Sequence, residues 1–386
     1  MPLGISSLIL MIDEIVENID KIINDLAGIT GNHLSIINGK YDFTEYGPIF
    51  EENAKLILDK YAGADDKDTA TIAKCIVQVI LAEIYYQKND CYSSLVMANS
   101  ALAFLEEEGN EEIWIIGRFI QMCIMIVTGQ VSAIYPLVDG METRIYKNGN
   151  KELIGNYEAL RAWYALYDNA RDIIDSWMIN NAPNEYGEMR LSDSFAYMVK
   201  ARIYYMQGRY LACSTLLIYL IKLLEKNNRH MELCEAYMLM AMVLYTDKHT
   251  QEALEYFEKA LVIAVDRKLV RLFADEGETL YQLARVYKRK KTIKDEFLNT
   301  IIKASKEMAL MYPQYLKKHK DSSPKFTEKE IEILRLLADK RNNKEIAEFL
   351  DNTPNTIKHH LKNIYGKLGV NSRTEAVEVA TKEHII

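Results

Sequence analysis

SFAYMVKARIYYMQGRYLAC, residues 194–213, holds the key to the fold. Its apolar residues recur at helical spacing, Gly208 interrupts them, and the pattern restarts at Tyr210. Small Ala201 stands where two helices must approach closely, with Tyr204, Gly208 and Tyr210 around the turn. The second helix of such a unit is clearest in EALEYFEKALVIA, residues 252–264, where Ala253, Phe257, Ala260, Leu261 and Ala264 share one face.

Polar turns of the same kind fall at Asn89-Asp90, Gly129, Asp168-Asn169, Gly208 and Asp247-Lys248, about 39 residues apart. Residues 231–245 place Leu233, Ala236, Tyr237, Met240, Ala241 and Leu244 on one expected stripe. Strand signals are nearly absent, so the chain reads as all-α. The two quoted stretches resemble tetratricopeptide repeats, and the other units share their period and pattern. One helical hairpin cannot bury its apolar face alone, which implies stacking into a superhelix. The repeats are expected over residues 50–312, after less regular leading helices over 1–49. A non-repetitive helical bundle is the alternative that the period alone leaves open.

The 386 residues exceed what one core organises, and 49% of them are apolar. The N-terminal apolar run ends at Asp13 and Glu14 without a cleavage signal, and no stretch is expected to reach the roughly 20 apolar residues of a membrane span. Cys75, Cys91, Cys123, Cys213 and Cys234 are scattered singly, as reduced core thiols in a cytoplasmic protein would be. No metal ligand set, cofactor loop or catalytic constellation stands out, so neither an enzyme nor a bound cofactor is expected.

Charge divides the chain. The net charge is −8, made up of −9 over residues 1–323 and +1 over residues 324–386. Any nucleic-acid contact is thereby confined to a patch near the C-terminus. YPQYLKKHKDSSPKF, residues 312–326, is polar and basic, and a linker is expected over 313–325 before a last domain at 326–386.

In that last domain Thr327 and Glu330 form a capping box opening a helix, with Ile331, Leu334 and Leu337 as its expected buried stripe. Asn343 is expected to cap a second helix that buries Ile346, Ala347 and Leu350. Asp351-Asn352 makes a turn, Thr353 is the N-cap of a third helix and Pro354 its first residue. There Ile357, Leu361, Ile364 and Leu368 form an apolar stripe, while Asn355, Lys358, His359 and Lys362 form a polar one centred well away from it. Residues 352–374 hold four Lys/Arg and no Asp or Glu. One helix thus packs inward and offers donors outward, as a major-groove reader requires.

FTEKEIEILRLLADKRNNKEIAEFLDNTPNTIKHHLKNIYGKLGVNSRTEAVEVA, from Phe326, resembles the LuxR-type helix-turn-helix over its whole length. The resemblance implies a four-helix domain that binds double-stranded DNA. Lys358, His359 and Lys362 match positions that enter the groove. Lys344, Thr353, Asn355, Thr356 and Arg373 match positions that touch the DNA backbone or support such contacts. Two departures stand out: Lys340 where glycine is usual at a left-handed helix end, and Asn352 where an aliphatic residue is usual.

Helical repeats before such a domain are similar to the MalT-like regulators, and so is RLFADEGETLYQLA (271–284), through Arg271, Phe273, Asp275, Glu276, Gly277 and Leu280. Those proteins carry a nucleotide-binding module, but this sequence has no GxxxxGK[ST], and Gly39-Lys40 and Gly366-Lys367 lack its context. A naturally short relative and part of a longer chain both fit. The resemblance implies a transcription regulator with RNA polymerase as partner, a homodimer on DNA, and a small-molecule or protein effector at the repeats. Tyr85, Tyr86, Tyr164, Tyr167, Tyr204 and Tyr205 lie near repeat turns, where they either pack between helices or face an effector. The alternative function is an interaction scaffold that the C-terminal domain localises to DNA.

Overall fold

The computed structural model describes residues 5–24, 34–39, 42, 44–61, 67–108, 110–148, 151–185, 187–291, 295–317, 326–350, 352–368, 370, 372–382 and 385. The expected turn residue Asp351, Lys40 of the Gly39-Lys40 pair, and residues 318–325 of the expected linker lie outside them. The chain divides into two compact units, Met1–Lys317 and Lys318–Ile386. Both are all-α, with no strand among the described residues.

In the first unit, α1 (Ile5–Asn24) and α2 (Gly47–Tyr61) precede five helical hairpins. These are α3 (Lys67–Gln87) with α4 (Cys91–Glu108), α5 (Glu111–Val127) with α6 (Ile134–Asn148), α7 (Lys151–Asp168) with α8 (Arg171–Asn180), α9 (Ser194–Met206) with α10 (Tyr210–Lys226), and α11 (His230–Thr246) with α12 (Thr250–Arg267). Then follow α13 (Val270–Ala274), α14 (Gly277–Lys291) and α15 (Glu296–Met311).

The periodic turns share one backbone device. Asn89, Gly129, Asn169, Gly208 and Lys248 all have positive φ, between 54° and 78°. The next residue's N–H returns to the helix carbonyl five positions back, as in Asp90 to Tyr85 (2.9 Å), Gln130 to Met125 (2.7 Å), Arg209 to Tyr204 (2.9 Å) and His249 to Leu244 (2.8 Å). A left-handed residue thus ends the first helix of each hairpin and reverses the chain.

Burial in the two helices of a hairpin differs, and this corrects the expected stripe in 231–245. Packed against α9, α10, α12, α13 and α14, α11 buries Met231, Cys234, Met238, Leu239, Met242 and Val243 besides the expected Ala236, Tyr237, Met240 and Ala241; Leu233 and Leu244 stay half-buried. The one-sided pattern survives in α12, which buries Ala253, Leu254, Phe257, Ala260 and Ala264 and leaves Leu261 half-buried. The five cysteines are unpaired, and only Cys91 is partly exposed.

Two further expectations change. Asp68–Gln87 is long and apolar enough to cross a membrane by length and composition, although its Ile76, Val77, Val79 and Ile80 are buried in the repeat core. The expected linker starts too early, because Tyr315 and Leu316 are buried in that core. Aromatic surface outweighs the polar neighbours there: Tyr315 stacks on Tyr167 at 4.2 Å between ring centres.

The array closes on itself. At the end of α3 and the turn after it, Tyr86 Oη donates to Asp275 Oδ2 (2.7 Å), the Leu272 N–H donates to Gln87 Oε1 (3.0 Å), and Arg271 Nη1 donates to Asn89 Oδ1 (3.2 Å). The first hairpin is thereby joined to α13.

Candidate nucleic-acid interface and repeat interior

The second unit contains α16 (Glu328–Ala338), α17 (Asn343–Phe349), α18 (Pro354–Leu368) and α19 (Arg373–Lys382). Thr327 Oγ1 accepts the Glu330 N–H (3.2 Å) while Glu330 Oε2 accepts the Thr327 N–H (2.8 Å), the reciprocal box its spacing predicts. Lys367 of α18 also donates to Glu330 Oε2, at 2.5 Å. Burial opposes the charge on Glu330, but Lys367 and Thr327 outweigh it and hold its pKa below the ordinary range. One carboxylate therefore caps α16 and ties it to α18.

The cap of α17 lies one residue earlier than expected. Asn342, not Asn343, accepts from the Lys344 and Glu345 N–H groups (3.0 and 3.1 Å), because Glu345 is placed to return a bond to the Asn342 N–H (2.7 Å). In α16, Ile331 is only half-buried, and Ile333 and Leu336 join Leu334 and Leu337 inside. Ile346, Ala347 and Leu350 are buried, as are Ile357, Leu361, Ile364 and Leu368. Lys340 carries φ 60° at the end of α16, the left-handed conformation for which glycine is suited.

Opposite the buried stripe of α18, Asn355, Lys358, His359 and Lys362 are exposed. Thr353 Oγ1 accepts the Thr356 N–H (3.2 Å) and lies 2.9 Å from Thr356 Oγ1, so both hydroxyls are engaged at the start of α18. Lys344 is exposed near the start of α17, which packs on α18. Arg373 stands apart from these: half-buried, it donates through Nη2 to the Arg341 carbonyl and, at 3.4 Å, to the Leu337 carbonyl, satisfying the end of α16. Sequence reading missed this because the acceptors are main-chain atoms more than 30 positions away.

Inside the repeats the closing segment supplies charge and not only packing. Arg202 of α9 meets Glu235 of α11 (2.8 Å) and Glu276 (Nε to Oε1, 2.9 Å). Arg271 pairs with Asp275, whose carbonyl accepts from Tyr167 Oη (3.3 Å). Burial raises the pKa of Asp275 and of Glu276 in spite of the arginines, and Glu276 and Glu235 raise that of Arg202 against its burial. Tyr86, Phe119, Trp163, Tyr167 and Phe195 line a cavity beside this network. Of the six tyrosines near the turns, five are buried and Tyr85 is half-buried; Tyr86 and Tyr167 face the cavity. Arg202 and Glu235 escaped sequence reading because nothing local distinguishes them from solvated charges.

Residues 60–290 match the family model of the MalT-like TPR region, and residues 324–380 match that of the bacterial regulatory proteins of the luxR family. Among curated relatives, the transcriptional regulatory protein YdfI of Bacillus subtilis is 34% identical over 113 residues, 27% of this chain and 53% of that protein. The transcriptional regulatory protein LiaR of the same organism is 45% identical over 60 residues, 16% of this chain and 28% of that protein. The response regulator protein VraR of Staphylococcus aureus is 34% identical over 107 residues, 26% and 51% respectively. The chain thus spans about half or less of the length of these relatives.

Proposed function

Since the chain belongs to the MalT-like TPR family and carries a luxR-family domain at its C-terminal end, we propose that it is a transcription regulator that reads DNA with α18 and receives a signal in its repeats. The observation that carries the reading is the two-sided α18. Its apolar residues are locked into a capped helix-turn-helix, and Asn355, Lys358, His359 and Lys362 are left outward on one face. Amide, ammonium and imidazole donors at such spacing suit base edges in the major groove. Lys344, Thr353 and Thr356 are assigned to the DNA backbone near the starts of α17 and α18, as direct or supporting contacts. Arg373 is assigned to holding the two ends of that arrangement together, with any phosphate contact secondary.

Signal reception is assigned to the repeat interior, where the aromatic-lined cavity lies against the Arg202–Glu276 network. A ligand there would touch the residues that join first repeat to last. The reading implies RNA polymerase as a partner and a homodimer on DNA.

Selection of duplexes from a random pool by the full chain tests the central claim. Enrichment of one sequence, with affinity that falls as salt rises, is expected. Retention of all sequences alike at every salt concentration overturns it.

A further inference from the structure

Residues 34–39, with Asp42 and Thr44, lie inside the repeat unit, between α3 and the start of α11. Glu83 of α3 accepts the Ile36 N–H through Oε1 (2.8 Å) and the Ser35 hydroxyl through Oε2. Arg229 is 3% exposed and donates through Nη2 to the carbonyls of Asn38 (2.6 Å) and Gly39 (2.7 Å). Its Nε is held by Glu232 (2.5 Å), which also accepts from Ser194 (2.5 Å). The Asp42 carboxylate accepts the His230 N–H (2.5 Å) at the start of the 17-residue α11, and Arg267 Nε donates to Thr44 Oγ1 (3.3 Å).

Two features separate this from ordinary packing. First, buried or half-buried charged side chains are aimed at main-chain N–H and C=O groups of the segment, which any peptide carries. Second, the segment lines the cavity: Leu34, Ser35, Ile37 and Thr44 share it with Phe119 and Trp163. A glutamate for amide hydrogens, an arginine for carbonyls and a helix N-terminus for a carboxylate together make a clamp for a peptide that turns as residues 36–39 do.

We propose that this clamp is a peptide-binding site, occupied in the present state by the chain's own residues 34–39 together with Asp42 and Thr44, and that a free peptide with apolar residues followed by a polar turn and a carboxylate takes their place. The proposal deepens the signal-reception reading by naming its ligand class. Because the resident segment is tethered, it competes at high effective concentration, and an outside peptide binds only in proportion to the fraction of clamps left open.

A fluorescein-labelled peptide of the sequence of residues 34–44, LSIINGKYDFT, is the probe. In the full chain, Ser35→Ala with Asp42→Ala weakens the resident and leaves the clamp residues intact. Anisotropy should show at least tenfold tighter peptide binding than to the unaltered chain. A peptide N-methylated at the amide that Glu83 accepts should lose at least tenfold. In the unaltered chain, excess peptide should strip hydrogen-exchange protection from residues 34–39. Equal binding of the N-methylated peptide, or protection unchanged at saturating peptide together with no gain in the folded double variant, overturns the proposal. DNA binding measured on the same samples separates the two readings: intact DNA affinity without peptide binding sinks the clamp alone, and peptide binding without DNA affinity sinks the regulator alone.

Discussion

The two units use charge in opposite ways. The C-terminal unit spreads Lys344, Lys358 and Lys362 over its exposed surface, whereas the repeat unit buries Arg202, Arg229, Arg271, Glu232, Glu235 and Glu276 among its helices. Exposed cations are cheap to hold and act on a partner of opposite charge, through interactions that salt screens. Buried charges are costly unless an opposite charge meets them, and they fix which parts of the chain meet. Position of charge, more than its amount, therefore separates a surface built for a partner from an interior built for the chain itself.

The sharpest test of that contrast removes a buried charge. Arg202→Met leaves Glu235 and Glu276 facing each other without their cation, and the repeat unit should lose about 3 to 5 kcal/mol of stability. Calorimetry should show the repeat transition falling while that of the C-terminal unit stays in place. A full-chain profile unchanged by the substitution would remove the network's claim to organise the interior.

Acidity offers the next largest effect. Burial raises Glu83 and Glu232 to about 7 from an ordinary 4.5, against the opposing bonds from Ser35 and Ile36 in one case and Arg229 and Ser194 in the other. A carboxyl raised in the folded state binds its proton more tightly there than in the unfolded chain. Its contribution is complete below the unfolded value and is lost as pH rises through the folded one. Unfolding of the repeat unit by urea should show Glu83 alone withdrawing about 3 kcal/mol between pH 4.5 and 8. Glu83→Gln should flatten that share of the slope; a slope that stays the same would mean that Glu83 keeps its ordinary affinity for protons.

On the exposed side the effects are smaller and fall on binding. Lys358→Ala and Lys362→Ala should each cost about 1 to 3 kcal/mol on the selected duplex and far less on a random one, by titration at several salt concentrations. Equal losses on both duplexes would mark α18 as a phosphate-binding helix. Arg373→Ala should weaken both duplexes and also lower the melting temperature of its unit, since it frees the carbonyls at the end of α16. Lys340→Gly should be the mildest change, raising that unit's stability by about 0.5 to 1 kcal/mol through relief of a left-handed lysine, with DNA affinity unchanged.

What the sequence made legible follows the same division. Local devices were readable: the positions of the five polar turns, the Thr327–Glu330 box, the Thr353-Pro354 helix start and the apolar stripe of α18 each depend on residues within a few positions of one another. Where local rules tied, the reading slipped by one residue, as at Asn342 and Asn343, both competent caps, of which the reciprocal bond to Glu345 selects the first. Ile331 was overvalued because α16 offers apolar residues on more of its circumference than its core uses. Long-range meetings left no local trace. Arg202 with Glu276, Arg229 with Asn38 and Arg373 with Leu337 look in sequence like solvated charges; the coiling of the array brings the first two pairs together, and the packing of α19 on α16 the third.

The closure of the first hairpin onto α13 has a consequence for how such a chain can change over evolutionary time. An open solenoid grows or shrinks by whole units, because each unit touches only its neighbours. Here Tyr86 must find Asp275, and Gln87 must find Leu272, across the five hairpins. Duplicating one 39-residue unit would carry those partners past each other, and deleting one would leave them short. The number of repeats is thereby locked, and variation is left to the residues that face the inside.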